Sequence, residues 1–270
     1  RIVSILEGGE ADPGGGDTHS YLWEVSADNE QEVPDGTGPT LTFVPEDEGV
    51  YTVTVTVTDD EGASGSNTIL VDVSNAPPRD LIVTGVPADP LEGVEINLSG
   101  GFFDPGATDT HAILWEAAFD GNVVAGGTEA DFGFVPTDNG IYTATFTVTD
   151  NDGASASASV DIPVANQAPQ NASGGGNRTV SEGDLVTLSA SFDDPGSDDD
   201  HTFLWKVWAS NGLSVGDGAG QDFSFTVGED GDYVVALTVT DDDGAGETDK
   251  MFISVENVAP TVELGDDVTV

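Results

Sequence analysis

Hydrophobic and polar residues alternate along several stretches of the chain, most regularly after three tyrosines. Tyr51, Tyr142 and Tyr233 each begin a run in which apolar side chains occupy every second position. Because successive side chains of a strand point to opposite faces, a period of two predicts half-buried β-strands. Shorter runs predict further strands at residues 41–44, 69–73, 132–135, 160–164, 223–226 and 252–255. Helical spacing of apolar residues is nowhere persuasive, so the pattern predicts an all-β chain.

This pattern occurs three times along the chain. The three tyrosines recur at an interval of 91 residues, each preceded by an Asp-Pro-Gly turn with a Leu-Trp pair and followed by Thr-Asp-x-acidic-Gly. Related proline segments recur at the same interval: Asn-Ala-Pro from Asn75, Asn-Gln-Ala-Pro from Asn166 and Asn-Val-Ala-Pro from Asn257. A period near ninety suits one small β-sandwich of about 100 residues. We predict domains at residues 1–74, 75–165 and 166–256, followed by a first-strand segment at 257–270.

The placement of tryptophan and tyrosine favours an immunoglobulin-like sandwich. In that fold a tryptophan on the third strand packs between the sheets, and a tyrosine stands near the start of the sixth strand. We therefore predict that the patterned aromatic residues belong to three cores: Trp23, Trp115, Trp205 and the three tyrosines. Trp208 has no counterpart in the other repeats, so it is the better candidate for an exposed, ligand-binding aromatic residue.

Together, the Asn-x-Ala-Pro joints, the Asp-Pro-Gly turns and the Tyr-x-Val-x-Leu-x-Val-Thr-Asp segment resemble PKD-type (polycystic kidney disease) domains of bacterial and archaeal surface proteins. The resemblance covers essentially the whole chain. It implies tandem immunoglobulin-like β-sandwiches in an elongated array, outside the cell, as spacers, stalks, adhesin segments or accessory modules of secreted hydrolases. The family's Trp-Asp-Phe-Gly-Asp run is absent after Trp23, Trp115 and Trp205.

The excess of acidic residues excludes some classes of binding partner. The chain has 51 acidic and 5 basic residues, a formal net charge of −46, which disfavours nucleic acid and anionic membranes. There is no cysteine, and no run of eighteen apolar residues that would predict membrane insertion. Motifs of serine hydrolases, zinc proteases and phosphate-binding loops are missing, and all three histidines occupy equivalent repeat positions. We therefore predict that the chain is not an enzyme.

Acidic residues cluster at positions that an immunoglobulin topology brings to one pole of each sandwich. Oxygen ligands without sulfur favour Ca²⁺, which accepts irregular coordination by six to eight oxygens. The predicted metal ligands are Asp12, Asp17, Asp59, Asp60, Asp104, Asp109, Asp150, Asp152, Asp194, Asp199, Asp241 and Asp243, with Asn75, Asn166 and Asn257 at the joints. Turn capping and solvation, or adaptation to high salt, are the alternatives. His19, His111 and His201 are expected to hold their loops through backbone hydrogen bonds rather than bind metal.

The two ends of the sequence are complementary. Without gaps, residues 4–12 align with residues 96–104, so the chain begins at a second strand, while residues 257–270 resemble a first strand. One hypothesis is head-to-tail assembly of identical chains into a filament, with the tail completing the next chain's first domain. The assembly strand would use Thr261, Val262, Glu263, Leu264, Val268 and Val270. The alternatives are a window of a longer tandem-repeat adhesin, and a module that binds surface glycans, other proteins or other cells.

Overall fold

A computed structural model describes residues 4–9 and 16–263. Within those ranges every regular element is a β-strand, which confirms the all-β prediction. No helix in the described ranges is long and apolar enough to cross a membrane. The strands are numbered β1 to β20 in chain order.

The first repeat contains five of these strands: β1 (Ser4–Glu7), β2 (Ser20–Ala27), β3 (Thr40–Phe43), β4 (Gly49–Thr58) and β5 (Ser64–Val73). Strands β1 and β3 form one antiparallel sheet, and β2, β4 and β5 form the other in that order. The two sheets share a core in which Leu41 and Phe43 of β3 join Trp23, Tyr51 and Val53. The alternating pattern after Tyr51 therefore forms the central strand of a sandwich.

The second repeat contains seven strands: β6 (Arg79–Thr84), β7 (Ile96–Phe103), β8 (His111–Phe119), β9 (Asn122–Gly127), β10 (Asp131–Phe134), β11 (Gly140–Asp150) and β12 (Ser155–Val164). One sheet has the order β10-β7-β6 and the other β12-β11-β8-β9. Trp115 stacks on Phe132 at a centroid distance of 5.5 Å and lies 4.7 Å from Phe146.

The third repeat contains eight strands: β13 (Gln170–Ser173), β14 (Arg178–Ser181), β15 (Leu185–Ser189), β16 (Ser191–Asp193), β17 (Thr202–Ala209), β18 (Asp222–Thr226), β19 (Gly231–Thr240) and β20 (Gly246–Glu256). The largest sheet has the order β14-β20-β19-β17, in which β14 runs parallel to β20. The shorter pairs are β13-β16 and β15-β18. Val186 and Leu188 of β15 share a core with Trp205 and Tyr233.

The predicted core aromatic residues are confirmed. Trp23, Trp115 and Trp205 are at most 3 % exposed, and the three patterned tyrosines at most 1 %. Each tyrosine hydroxyl donates to the backbone carbonyl four residues earlier: Tyr51 to Asp47 (3.1 Å), Tyr142 to Asp138 (3.1 Å) and Tyr233 to Glu229 (3.0 Å). Each tyrosine therefore holds the backbone of an acidic residue in the turn before its strand.

Two compact units divide the chain, and they do not follow the repeats. The first unit holds the described residues up to Val86 together with Asn97–Gly133 and Thr143–Asp161. The second holds Pro87–Ile96, Phe134–Tyr142 and the described residues from Ile162 onward. Residues that surround the joint at Asn75 therefore belong to one unit, and those around the joint at Asn166 to the other. The predicted domain boundaries at residues 74, 165 and 256 remain a prediction.

Candidate metal sites between successive repeats

The Asp-Pro-Gly loop of the second repeat is organised around Asp104, just after β7. One carboxylate oxygen of Asp104 accepts the Gly106 N–H at 2.9 Å, and the other lies 2.9 Å from Nε2 of His111. The third repeat has the same contacts, made by Asp194 with Gly196 (3.0 Å) and His201 (2.8 Å). The ring partner is thus a carboxylate, where backbone groups were predicted. These two histidines orient an acidic side chain of the loop.

Asp109, five residues further along this loop, has an unusual environment. Both of its carboxylate oxygens are buried, and neither has a hydrogen-bond partner in the part of the chain that the structure describes. The carboxylate lies against Gly106 so closely that a methyl group on that glycine would overlap it. Burial raises the pKa of Asp109 to about 6, and four nearby carboxylates add to the effect: Asp47, Asp104, Asp150 and Asp152. A buried, unpartnered carboxylate is costly unless something else neutralises it.

The preceding repeat supplies carboxylates to this loop. The backbone of Asp47 is held by the Tyr51 hydroxyl, and the Asp47 carboxylate accepts a hydrogen bond from the hydroxyl of Thr108. The neighbouring Glu48 has its pKa raised to about 7, first by a side-chain hydrogen bond with Asp47 and then by burial. The first joint therefore combines acidic groups from two successive repeats.

The joint asparagine closes onto the loop that follows β11. The amide of Asn75 donates to Oδ2 of Asp150 at 2.9 Å, and Oδ1 of Asp150 accepts the N–H groups of Asp152 (3.0 Å) and Ala154 (2.8 Å). The hydrogen bond from Asn75 is the leading cause that lowers the pKa of Asp150. The same bond occurs in the third repeat between Asn166 and Asp241 (3.1 Å). Both oxygens of Asp150 therefore have protein donors, and the bond from Asn75 links the joint to the loop after β11.

The second joint is more deeply buried than the first. Both oxygens of Asp199 are buried without a partner, and the residue is 9 % exposed. Beside it lies Glu92 of the preceding repeat, which is 0 % exposed, accepts the Gln167 N–H on Oε1 and has no partner for Oε2. Burial raises the pKa of Asp199 to about 7, with Glu92 as the largest charge contribution, ahead of Asp194, Asp138 and Asp242.

Several groups of side chains bring potential ligand atoms within 4.8 Å of one another. At the first joint they are Asp104–Asp109–His111 and Asp47–Glu48–Asp109. At the second joint they are Glu92–Asp194–Asp199 and Asp138–Asp199–Asp243. A further group at the pole of the first repeat is Asp17–Asp60–Glu61. At each joint one unpartnered aspartate belongs to both groups, so Asp109 and Asp199 are the centres of the two candidate sites.

The remaining predicted ligands have different placements. Asp59 accepts the N–H groups of Glu61 (3.0 Å) and Ala63 (2.8 Å) within its own turn. Asn257 is exposed, and Asp12 lies outside the described residues. Sequence reasoning missed the contributions of the preceding repeat, which are Asp47, Glu48, Glu92 and Asp138. Asp47 and Asp138 stand four residues before Tyr51 and Tyr142, each in an acidic-x-Gly-x-Tyr sequence. The recurrence of this sequence was the signal that could have found them.

The predicted assembly strand is described only in its first three residues. Thr261, Val262 and Glu263 are exposed and belong to no strand, with Val262 at 83 % exposure. Leu264, Val268 and Val270 lie outside the described residues. Trp208 is 52 % exposed.

Comparison with known proteins gives one matching family and one distantly similar human protein. The sequence profile of the PKD domain matches residues 3–73 and 166–255. The human dyslexia-associated protein KIAA0319 is 27 % identical over 267 residues, an alignment that covers 92 % of this chain and 24 % of the human protein. The chain thus spans about a quarter of that relative's length.

Solved structures with a similar fold include tandem modules. A tetra-tandem repeat from the extending region of a large adhesion protein is 16 % identical, with a TM-score of 0.42, covering 89 % of this chain and 68 % of that one. Three N-terminal domains of the highly immunogenic outer capsid protein of bacteriophage RB49 are 18 % identical, with a TM-score of 0.29, covering 96 % and 95 %.

PKD and immunoglobulin-like domains are typical of extracellular or surface proteins, where they are usually structural or adhesive modules rather than enzymes. This chain has repeated sandwiches with buried tryptophans, and the PKD profile matches more than half of it. The chain therefore belongs to the PKD domain family.

Proposed function

We propose that the chain is a spacer segment of an extracellular stalk or fibre, and that Ca²⁺ bound between successive repeats stiffens it. One observation carries the proposal. At each of the two joints an aspartate, Asp109 or Asp199, has two buried oxygens without a hydrogen-bond partner among the described residues. Both aspartates lie beside acidic side chains from the preceding repeat. Turn capping does not account for these two carboxylates, because no N–H group of residues 4–9 or 16–263 donates to them.

The energetics favour a counter-ion at these positions. Two unit charges 4 Å apart repel by about 1 kcal/mol in water and about 4 kcal/mol at the effective dielectric constant of a protein surface. The raised pKa values of Asp109 and Asp199, about 6 and about 7, express the same cost. Either a proton or a metal ion relieves it. At a neutral or alkaline extracellular pH a divalent cation is the better neutraliser, because it interacts with several carboxylates at once.

The donor set selects the metal. Carboxylate oxygens make up most of the potential ligand atoms at the two joints, and the chain has no cysteine. His111 and His201 are engaged with Asp104 and Asp194. Ca²⁺ takes six to eight oxygens in variable geometry, whereas Mg²⁺ demands a near-ideal octahedron, so irregular loops favour Ca²⁺. At the second joint Glu92, Asp194, Asp199, Asp138 and Asp243 would hold the ion.

The mechanical role follows from which residues would be joined. At the second joint the ligands come from the second repeat (Glu92 and Asp138) and from the third (Asp194 and Asp199). A bound ion would tie both repeats together beside a linker that Pro169 already restricts. Without the ion, mutual repulsion of the carboxylates would loosen the same linker.

Calorimetric titration of the full chain with CaCl₂, after treatment with chelator, tests the proposal. Extracellular calcium modules bind in the range of about 10⁻⁴ to 10⁻³ M, and we expect heat at such concentrations together with a higher unfolding temperature. The same titration after adding NaCl to equal ionic strength separates binding from screening. An unfolding temperature that responds equally to the two salts would contradict the proposal.

Head-to-tail assembly is a second candidate, favoured by the exposed edge of β5. Ile69 of this strand is 43 % exposed, whereas its counterpart Met251 on β20 is 1 % exposed. In the third repeat β14 pairs with β20 in parallel; among the described residues no strand pairs with the corresponding edge of β5. A first-strand segment such as residues 261–270 of another copy would fit that edge. Deletion of residues 258–270 should then abolish any filaments seen by electron microscopy, and filaments that persist would exclude it.

A further inference from the structure

The outer face of the four-stranded sheet in the third repeat carries an apolar row. Trp208 on β17, Val234 on β19 and Phe252 on β20 are direct cross-strand neighbours. Trp208 is 52 % exposed and Phe252 is 57 % exposed. Adjacent strands are about 4.8 Å apart, so the two aromatic side chains stand about 10 Å apart on a flat surface.

The next row on the same face is cationic at both ends. Lys206 and Lys250 flank Ala236 through the same cross-strand pairing. They are the two lysines of a chain with 5 basic and 51 acidic residues, and both are exposed. Among the described residues neither ammonium group has an ion-pair partner. We call the surface formed by Trp208, Phe252, Lys206 and Lys250 the aromatic–lysine face.

The other two repeats have a different chemistry at the same four positions. The first repeat has Ser26, Leu70, Glu24 and Thr68, and the second has Ala118, Asp161, Glu116 and Ser159. There the outer faces are hydrogen-bonded internally, through Thr54 with Thr68 (2.9 Å), Thr145 with Ser159 (3.0 Å) and Thr143 with Asp161 (2.8 Å). In the third repeat all four positions differ together, and the self-satisfied hydroxyl pairs at these places are lost. The face is therefore open to an external ligand.

Area and charge restrict what this ligand is. Trp and Phe each offer about 150–250 Å², so about half exposure leaves on the order of 200 Å² of aromatic surface. A stable protein interface needs about 800 Å² per partner, which disfavours a second copy or another folded protein. The net charge of −46 repels polyanions at long range. Each lysine offers three N–H donors, which suits a ligand rich in hydroxyl groups.

We propose that the aromatic–lysine face binds a neutral polysaccharide. The rings of Trp208 and Phe252 would lie against the apolar faces of two sugar rings, while Lys206 and Lys250 donate hydrogen bonds to hydroxyl oxygens. This function goes beyond that of a spacer, because it gives the third repeat alone an adhesive surface. It does not depend on calcium at the joints.

The repeats themselves supply the test variants. Trp208→Ser and Phe252→Leu introduce the residues of the first repeat, as do Lys206→Glu and Lys250→Thr, so the strands already accommodate them. The full chain is tested for retention by cellulose, chitin and mannan, with heparin as a polyanionic probe. We expect retention by at least one neutral polysaccharide, weakened tenfold or more by either aromatic substitution and several-fold by the lysine substitutions. Leu70→Ala, at the Phe252 position of the first repeat, should leave retention unchanged.

Several results would overturn the proposal. They are no retention by any of the three neutral polysaccharides, retention that Trp208→Ser and Phe252→Leu leave intact, and retention by heparin alone. Self-association in sedimentation that the same substitutions abolish would assign the face to a second copy instead. Thermal unfolding of each variant verifies that the third repeat is folded, and Phe252→Leu remains informative if Trp208→Ser is unstable.

Discussion

The two joints share a framework and differ in what surrounds it. Each has an aspartate held by a histidine, a second aspartate without partners, and an asparagine that donates to a third aspartate. At the first joint the preceding repeat contributes Glu48 and Asp47, and Asp47 accepts a hydrogen bond from a threonine hydroxyl. At the second joint it contributes Glu92, which is fully buried. The framework is a property of the repeat, while the degree of electrostatic strain depends on the residues that the preceding repeat contributes.

Replacement of the unpartnered aspartates should separate the joints most strongly. Asp199→Asn removes one charge shared by both ligand groups of the second joint, and calcium affinity depends on ligand charge. We expect the calcium dissociation constant of the second joint to rise on the order of 100-fold in this variant, as measured by calorimetry. Asp109→Asn should weaken the first joint by a smaller factor, because more of its acidic partners are hydrogen-bonded already. Equal factors at both joints would show that Glu92 adds nothing.

The same substitution should have the opposite effect on stability when calcium is absent. In chelator Asp199→Asn replaces a buried, unpaired charge by a neutral group of the same shape, so we expect a gain of about 1–3 kcal/mol in the free energy of unfolding. With calcium present the variant should be less stable than the parent protein. Denaturant titrations with and without chelator check both signs, and destabilisation under both conditions would contradict an unpaired carboxylate.

The pH dependence should rank the joints in the same order. The pKa of Asp199 is about 7 in the folded chain and that of Asp109 about 6, against an ordinary value of 3.8. The folded state then holds protons that the unfolded state has released, so without calcium stability falls as pH rises from about 4 towards these values. Carboxyl carbon NMR in chelator should show Asp199 titrating about one unit above Asp109. Calcium should lower both midpoints.

Removal of the asparagine hydrogen bonds should change stability least, and by a similar amount at both joints. Asn75→Ala and Asn166→Ala each remove one hydrogen bond to an aspartate that keeps a backbone donor, Ala154 for Asp150 and Ala245 for Asp241. Neither carboxylate is left unpaired, so denaturant titrations should show a smaller loss of stability than the aspartate substitutions cause. Asn75→Ala should also raise the pKa of Asp150, because that amide is the leading cause of its lowered value. Asn257→Ala is the matched control, since Asn257 is exposed. A loss of stability twice as large at one joint would mean that the two asparagine hydrogen bonds are not equivalent.

The fold could be predicted from the sequence because its determinants are local and repeated. Alternation after Tyr51, Tyr142 and Tyr233 gave the central strands, and the recurring tryptophans gave the cores. The candidate sites were reached only in part. Residues of one loop, such as Asp104 and Asp109, could be grouped by topology.

The contributions of the neighbouring repeat could not be grouped in that way. Glu92 and Asp199 are distant in sequence, and their contact depends on how the chain passes from one sandwich to the next. A parallel bridge between Leu91 and Ala165 determines this passage. Likewise, Trp208 was recognised as unmatched, but Phe252 and the two lysines became relevant only when strand register placed them on one face.

The sharing of each joint between two repeats sets the smallest fragment worth isolating. A single repeat cut out at residues 75–165 would keep Asp109 without Asp47 and Glu92 without Asp199, so it would own two half-sites and no whole one. Two consecutive repeats are the minimum that contains a complete joint. Under the proposed calcium role, titrations of isolated single modules would therefore show weaker binding than titrations of two consecutive repeats.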